Sequence, residues 1–160
     1  GERLKAVQPF LEGEEVFLAN YSDGLTDLPL LDYMQRFLDS GKVGAFMCVR
    51  PPHTTHVVRV DAECSVRDIQ PIRAADVWIN GGYFVFRRQI FDYMMPGEEL
   101  VMEPFQRLIK EDKLFGYQYQ GFWTCIDTFK EKQELDEMCA RGEAPWQVWR
   151  TGAPQPPARH

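Results

Sequence analysis

Three apolar runs, at residues 16–21, 43–49 and 77–86, constrain the fold of this chain more than any other feature. Each is nearly continuous in apolar residues, the pattern of strands covered on both faces. Between the first two lies a stretch of helical period, residues 28–40. Asp27 suits its N-cap, Pro29 its first turn and Gly41 its C-terminal cap. Leu31, Met34 and Leu38 fall on one face, with Leu30 and Phe37 beside them. Strand, helix and strand in that order form a βαβ unit, so a parallel pair is expected.

The rest of the chain reads in shorter pieces. Residues 56–60 and 64–69 are expected to form a hairpin around Asp61-Ala62-Glu63, and residues 89–95 a short helix ended by Pro96-Gly97. A further helix starts at Glu103-Pro104, with proline suited to the first helical position and Phe105, Leu108 and Ile109 as its apolar stripe. Residues 114–119 alternate, with Phe115, Tyr117 and Tyr119 on one face of a half-buried strand. Thr128 and Glu131 spell a capping box before the last helix, whose stripe is Leu135, Met138 and Cys139 and whose end is Gly142. Residues 1–142 are therefore taken as the domain and 143–160 as a C-terminal tail. Three prolines fall in its last ten residues, and Trp146 and Trp149 are expected to pack back on the body.

The chain has 160 residues, enough for one domain with a sizeable core. Its net charge of -6 argues against nucleic-acid binding, which needs a basic face. It leaves phosphate ligands open, because a metal can supply local positive charge. No apolar run approaches the roughly 18 residues of a membrane span, and the N-terminus lacks the apolar core of a signal peptide. Cys48, Cys64, Cys125 and Cys139 form no C-x-x-C pair and read as buried free thiols of a cytoplasmic protein. The chain opens on Gly1 in the middle of a pattern, so an upstream segment is expected.

Two acids stand at the ends of apolar runs: Asp23 in Ser22-Asp23-Gly24, and Asp127 just before the capped helix. Together they suit a divalent cation that keeps positions open for phosphate. Each also has a plainer reading, turn chemistry for Asp23 and a helix-dipole acid for Asp127. Gly81-Gly82 fits a strand bulge or a close approach of ligand to backbone. Glu103 fits a helix-start acid, and Trp123 a core or pocket-wall aromatic. His53 and His56 have no third ligand in view and read as a solvated loop.

The blocks Trp78-Ile79-Asn80-Gly81-Gly82-Tyr83-Phe84-Val85, Glu103-Pro104-Phe105 and Gly121-Phe122-Trp123-Thr124-Cys125-Ile126-Asp127-Thr128 resemble those of the sugar-nucleotide pyrophosphorylases. Leu4-Lys5-Ala6-Val7, Tyr21-Ser22-Asp23-Gly24 and Arg50-Pro51-Pro52 fall in the same order as in that family, so the resemblance covers roughly residues 3–140. It implies an α/β fold of the nucleotide-diphospho-sugar transferase type, a Rossmann-like, mostly parallel sheet flanked by helices, here without its N-terminal nucleotide-binding half. It implies a nucleotidyltransferase that joins a nucleoside triphosphate to a hexose 1-phosphate and releases pyrophosphate. The branch it most resembles uses CTP and glucose 1-phosphate to make CDP-glucose. By the same resemblance Asp23 and Asp127 hold Mg²⁺ and act in catalysis, while Asn80, Gly81, Gly82, Glu103 and Trp123 line the sugar pocket.

The sequence departs from this pattern in three places. The glycine-rich loop that holds the triphosphate is absent. Ile69-Gln70-Pro71 stands where Glu-Lys-Pro would bring a lysine to the sugar phosphate, and Arg73 is a candidate replacement for that charge. His53-Thr54-Thr55-His56 replaces the expected Arg-Phe-Gly. These departures keep a second reading open, a non-catalytic sugar-phosphate-binding or regulatory module. An open strand edge left by a missing half would favour pairing with another chain or homo-oligomerisation.

Overall fold

The computed structural model describes residues 1–51 and 55–150. Residues 151–160 of the expected tail, and the expectations for Pro52, His53 and Thr54, lie outside the described residues. The first half runs α1 (Glu2–Val7), β1 (Val16–Ala19), β2 (Gly24–Thr26), α2 (Leu30–Ser40), β3 (Gly44–Val49), β4 (His56–Val60) and β5 (Val66–Pro71). The second runs β6 (Ile79–Asn80), β7 (Phe84–Arg87), α3 (Glu103–Lys110), β8 (Leu114–Tyr119), β9 (Trp123–Cys125) and α4 (Phe129–Ala140). A 3₁₀ turn at Arg88–Tyr93 takes the place of the short helix expected there.

In the main sheet β7 lies between β1 and β3 and runs antiparallel to both, pairing Leu18 with Val85 and Ala45 with Val85. β1 and β3 thus point the same way, as a βαβ unit demands, but they are not neighbours. The expected parallel pair does not form. β6 continues antiparallel along the same side of β3, and β8 takes the other side in parallel, from Gly44 beside Leu114 to Val49 beside Tyr119. The α/β class holds, with helices on both faces, but the sheet is mostly antiparallel rather than mostly parallel. The reason lies in burial. Phe84, Val85 and Phe86 are all three buried, as befits a strand with a neighbour on each side.

One face of the sheet packs Phe17, Phe84, Phe86, Ile90, Phe105 and Leu108 beneath α3 and the 3₁₀ turn. The other packs Tyr33, Phe37, Met47, Val85, Tyr117 and Tyr119 beneath α2. Gly41 caps α2 in the left-handed region, as expected. The buried stripe of α2 is rotated from the one expected: Tyr33 and Phe37 are fully enclosed, whereas Leu31 is 83% exposed. Tyr33 meets Tyr117 with ring centroids 4.7 Å apart, and the larger aromatic surfaces fix the face. Along α3, Pro104, Phe105 and Leu108 are buried but Ile109 is not. β1 ends the sheet, and Leu18 is half exposed rather than covered on both sides.

The hairpin of β4 and β5 forms, with Asp61 accepting the Glu63 and Ser65 N–H groups across its turn. Cys64 sits exposed in that turn rather than in a strand. Both halves of the α4 capping box are made, although only Leu135 of its stripe is buried. Cys139 is exposed, so the buried-thiol expectation fails for Cys64 and Cys139; all four cysteines are free. Trp146 packs on Phe122, whereas Trp149 is largely exposed. Among the described residues no helix is long and apolar enough to cross a membrane.

Candidate functional site

A two-stranded ribbon that local pattern did not reveal brings the two acids together. β2 pairs antiparallel with β9: Gly24 with Cys125, Leu25 with Thr124, Thr26 with Trp123. The Ile126 N–H then donates to the Asp23 carbonyl at 3.0 Å. Asp23 precedes β2 by one residue and Asp127 follows β9 by two, so both stand at the same end of the ribbon. At the other end Thr26 Oγ1 donates to the Phe122 carbonyl at 2.7 Å. Asp27, expected as the α2 N-cap, instead accepts the Tyr119 hydroxyl at 2.5 Å and the Phe122 N–H at 2.8 Å, so α2 starts after Pro29 with no side-chain cap.

The glycines form a bulge beside this ribbon. Between the pairs Cys48–Asn80 and Ala45–Val85, four residues on one strand face two on β3. Met47 bridges the gap, donating to the Gly82 carbonyl and accepting the Gly81 N–H. A side chain at Gly81 would place its Cβ 2.9 Å from Met47 Cε and 3.1 Å from Val49 Cγ1. Gly82 has φ +77° and room for no Cβ beside Asn20 Oδ1. The strand-bulge reading of this pair is met. Tyr83 follows with φ +50°, an uncommon conformation for a bulky residue that needs surrounding contacts to hold it.

Side chains then tie bulge to ribbon. Trp123 Nε1 donates to the Gly81 carbonyl at 2.9 Å, and the Tyr83 hydroxyl donates to the Gly24 carbonyl at 3.0 Å. Asn20 Oδ1 accepts the Tyr83 N–H at 2.9 Å. Asn80 turns its own oxygen onto the Gly82 N–H and its amide onto the Tyr21 hydroxyl. Asn80, Gly81, Gly82 and Trp123 are therefore gathered around the ribbon that carries Asp23 and Asp127. Glu103 is held elsewhere. It opens α3 and accepts the Glu99 N–H at 3.3 Å, as a helix-start acid would.

Asp23 also lines a cavity of about 770 Å³ with Asn20, Tyr21, Arg3, Glu98 and Glu99. Burial raises the Tyr21 phenol above its usual pKa, and the charges of Glu99 and Asp23 add to this, against its hydrogen bond with Asn80. The loop on the far side is pinned by Glu98, which is ion-paired with Arg107 and accepts the Met95 N–H. The Arg107 guanidinium holds the Glu98 carboxyl down at about 2. Beside the acids, Cys125 Sγ donates to Asp127 Oδ2 at 3.1 Å. Burial first, and then that carboxylate with the nearby charges of Glu131 and Asp23, pushes the thiol up to about 11.

Among the described residues no three His, Cys, Asp or Glu side chains converge on a metal position. Two carboxylates remain, a donor set that fits Mg²⁺, which keeps several waters and takes substrate phosphates as its other ligands. Sequence reasoning missed Asn20, Asp27, Tyr83 and Tyr119. Asp27 carried a signal that also fits a cap, and the other three sat inside strand patterns that mark them only as strand residues.

Comparison with known structures gives the fold first. A chain described as a glucose-1-phosphate thymidylyltransferase from Bacillus anthracis, solved in complex with a sucrose, matches with a TM-score of 0.60 and 13% identity. The match covers 83% of this chain and 57% of that one, and the shared α/β fold is of the nucleotide-sugar transferase type. In sequence, the chain is 30% identical over 151 residues to the glucose-1-phosphate cytidylyltransferases of Salmonella typhi and Salmonella typhimurium. Those matches cover 93% of this chain and 58% of each relative, so the chain spans little more than half the length of the relatives it matches. The chain is thus similar, over nearly all its length, to the C-terminal part of sugar-nucleotide pyrophosphorylases, among them the glucose-1-phosphate cytidylyltransferases. No family model matches it.

Proposed function

We propose that this chain is the metal- and sugar-binding part of a nucleotidyltransferase that joins a nucleoside triphosphate to a hexose 1-phosphate. The observation that carries the reading is the β2–β9 ribbon, which sets Asp23 and Asp127 at one end beside the Asn80–Tyr83 bulge. Asp23 and Asp127 would hold Mg²⁺, which when bound neutralises phosphate charge during the displacement. Asn80, Gly81, Gly82 and Trp123 shape the sugar side, whereas Glu103 stays at the start of α3 as a helix-start acid. CTP and glucose 1-phosphate are the expected pair, giving CDP-glucose, and the free thiols suit a cytoplasmic enzyme. The open edge of β1, with Leu18 exposed, suits a further strand from another segment or a second copy.

The test is pyrophosphate release from CTP, Mg²⁺ and glucose 1-phosphate. Turnover is expected to fall at least about 100-fold in Asp23→Asn and in Asp127→Asn, the scale of losing a charge-stabilising group. Near-normal turnover in either variant rules the metal assignment out.

One observation favours a second reading. Ile69 and Gln70 of β5, at the position of the family's acid and lysine, carry no charge, and Ile69 is exposed. A module that binds hexose 1-phosphate without turning it over fits that loss. Saturable binding of glucose 1-phosphate with no pyrophosphate release under any triphosphate would select it.

A further inference from the structure

The paired acids sit on a ribbon of only three residues per strand, too short to fix their positions alone. Something must hold the acid-bearing end against the main sheet. One side-chain bond reaches it from the bulge, the Tyr83 hydroxyl to Gly24, the residue next to Asp23; the Trp123 indole ties the opposite end of the ribbon to Gly81. The Tyr83 bond is the more telling. Its backbone takes the left-handed conformation, and its N–H is fixed by Asn20, which lies three residues before Asp23. Tyr83 thus grips the Asn20–Gly24 segment at both ends, through its N–H and through its hydroxyl. The other non-glycine residues at positive φ among those described, Cys64 and Asp112, lie in turns.

We infer that Tyr83 is a positioning residue: by spanning from Asn20 to Gly24 it fixes the loop that presents Asp23, and so the separation of Asp23 from Asp127. The inference rests on the proposal that these two acids hold a divalent cation. The phenol touches neither carboxylate. It acts through the Gly24 peptide, and the bond from the Ile126 N–H to the Asp23 carbonyl carries the constraint across to the strand bearing Asp127. Breaking the phenol bond leaves the ring in place, so the core beneath it stays filled while the loop gains freedom.

Tyr83→Phe, on the whole chain, tests this with Mn²⁺ alone as the probe, followed by electron paramagnetic resonance. Amide hydrogen exchange at Ile126 and thermal unfolding are measured in parallel. Thr26→Val, which loses a bond at the opposite end of the same ribbon, is the control for general loosening. Tyr83→Phe is expected to weaken Mn²⁺ binding about tenfold, the scale of one net hydrogen bond, and to speed exchange at Ile126. Thr26→Val is expected to leave Mn²⁺ affinity within about twofold of the parent. Unchanged Mn²⁺ affinity in Tyr83→Phe overturns the inference while the acids stand as ligands. An equal loss in Thr26→Val reduces Tyr83 to a structural role and overturns it too. If the parent protein binds no Mn²⁺, the two-acid reading fails, and the positioning role fails with it.

Discussion

Replacing Gly82 by alanine combines two penalties that can be measured apart elsewhere in the same molecule. The first is backbone: an L-residue held at φ +77° costs about 1 kcal/mol. The second is space. The added Cβ would lie 2.8 Å from Asn20 Oδ1 and 3.1 Å from Tyr21 Cδ2. Asn20 would have to withdraw and release the Tyr83 N–H, a loss of about 1 kcal/mol. Together the two give about 2 kcal/mol. Gly41→Ala isolates the first penalty, because Gly41 has φ +65° and nothing within 4 Å of its would-be Cβ. It should cost about 1 kcal/mol. Gly81→Ala isolates the second. Its φ is not in the left-handed region, but its methyl presses on Met47 and Val49, both buried, for about 1–3 kcal/mol of overpacking. Urea unfolding of the three variants and the parent supplies the numbers, provided the denaturant slopes agree. If Gly82→Ala costs no more than Gly41→Ala, the close approach at Asn20 is not real and the bulge is not held as described.

Two further outcomes are expected. Because Arg107 holds the Glu98 carboxyl at about 2 when folded, against an ordinary 4.5, the pair stabilises the fold above pH 4.5 and loses that contribution as pH falls towards 2. Arg107→Met should flatten the acid limb of a stability–pH curve, and an unchanged slope there would disprove the assignment. Cys125, with its thiol at about 11, should react with iodoacetamide at pH 8 at least about tenfold more slowly than the exposed Cys64 and Cys139. Peptide mapping by mass spectrometry reads the three rates, and equal rates would contradict the burial and charge around Cys125.

What the sequence made legible was local. The capping box of Thr128 and Glu131, the glycine caps, the proline start of α3 and the alternation of β8 are each encoded within a few residues, and each formed. The hairpin of β4 and β5 was legible for the same reason. The stripe of α2 was less so, because periodicity alone weighs leucine like tyrosine, and only the facing Tyr117 chooses Tyr33 over Leu31. The order of strands was not legible. Nothing local tells β7 to slip between β1 and β3. The ribbon was hidden most deeply, since three-residue strands carry no period and their partners lie about a hundred residues apart. Asp23 and Asp127 were found by the motifs around them, but that they share one end of one element required the fold.

That separation has a kinetic consequence. Gly24 cannot meet Cys125 until about a hundred further residues have been synthesised, whereas α2 and the β4–β5 hairpin can form soon after their own residues emerge. Closing so long a loop is among the costliest steps for a chain of this size, so it belongs late in folding, once the sheet has set the ends near each other. Until then Asp23 and Asp127 are two unrelated acids. A partly folded or truncated chain can hold much of its helix and hairpin content and still lack the site proposed for the cation, so on that proposal metal affinity would report completion of the fold where far-ultraviolet spectroscopy would not.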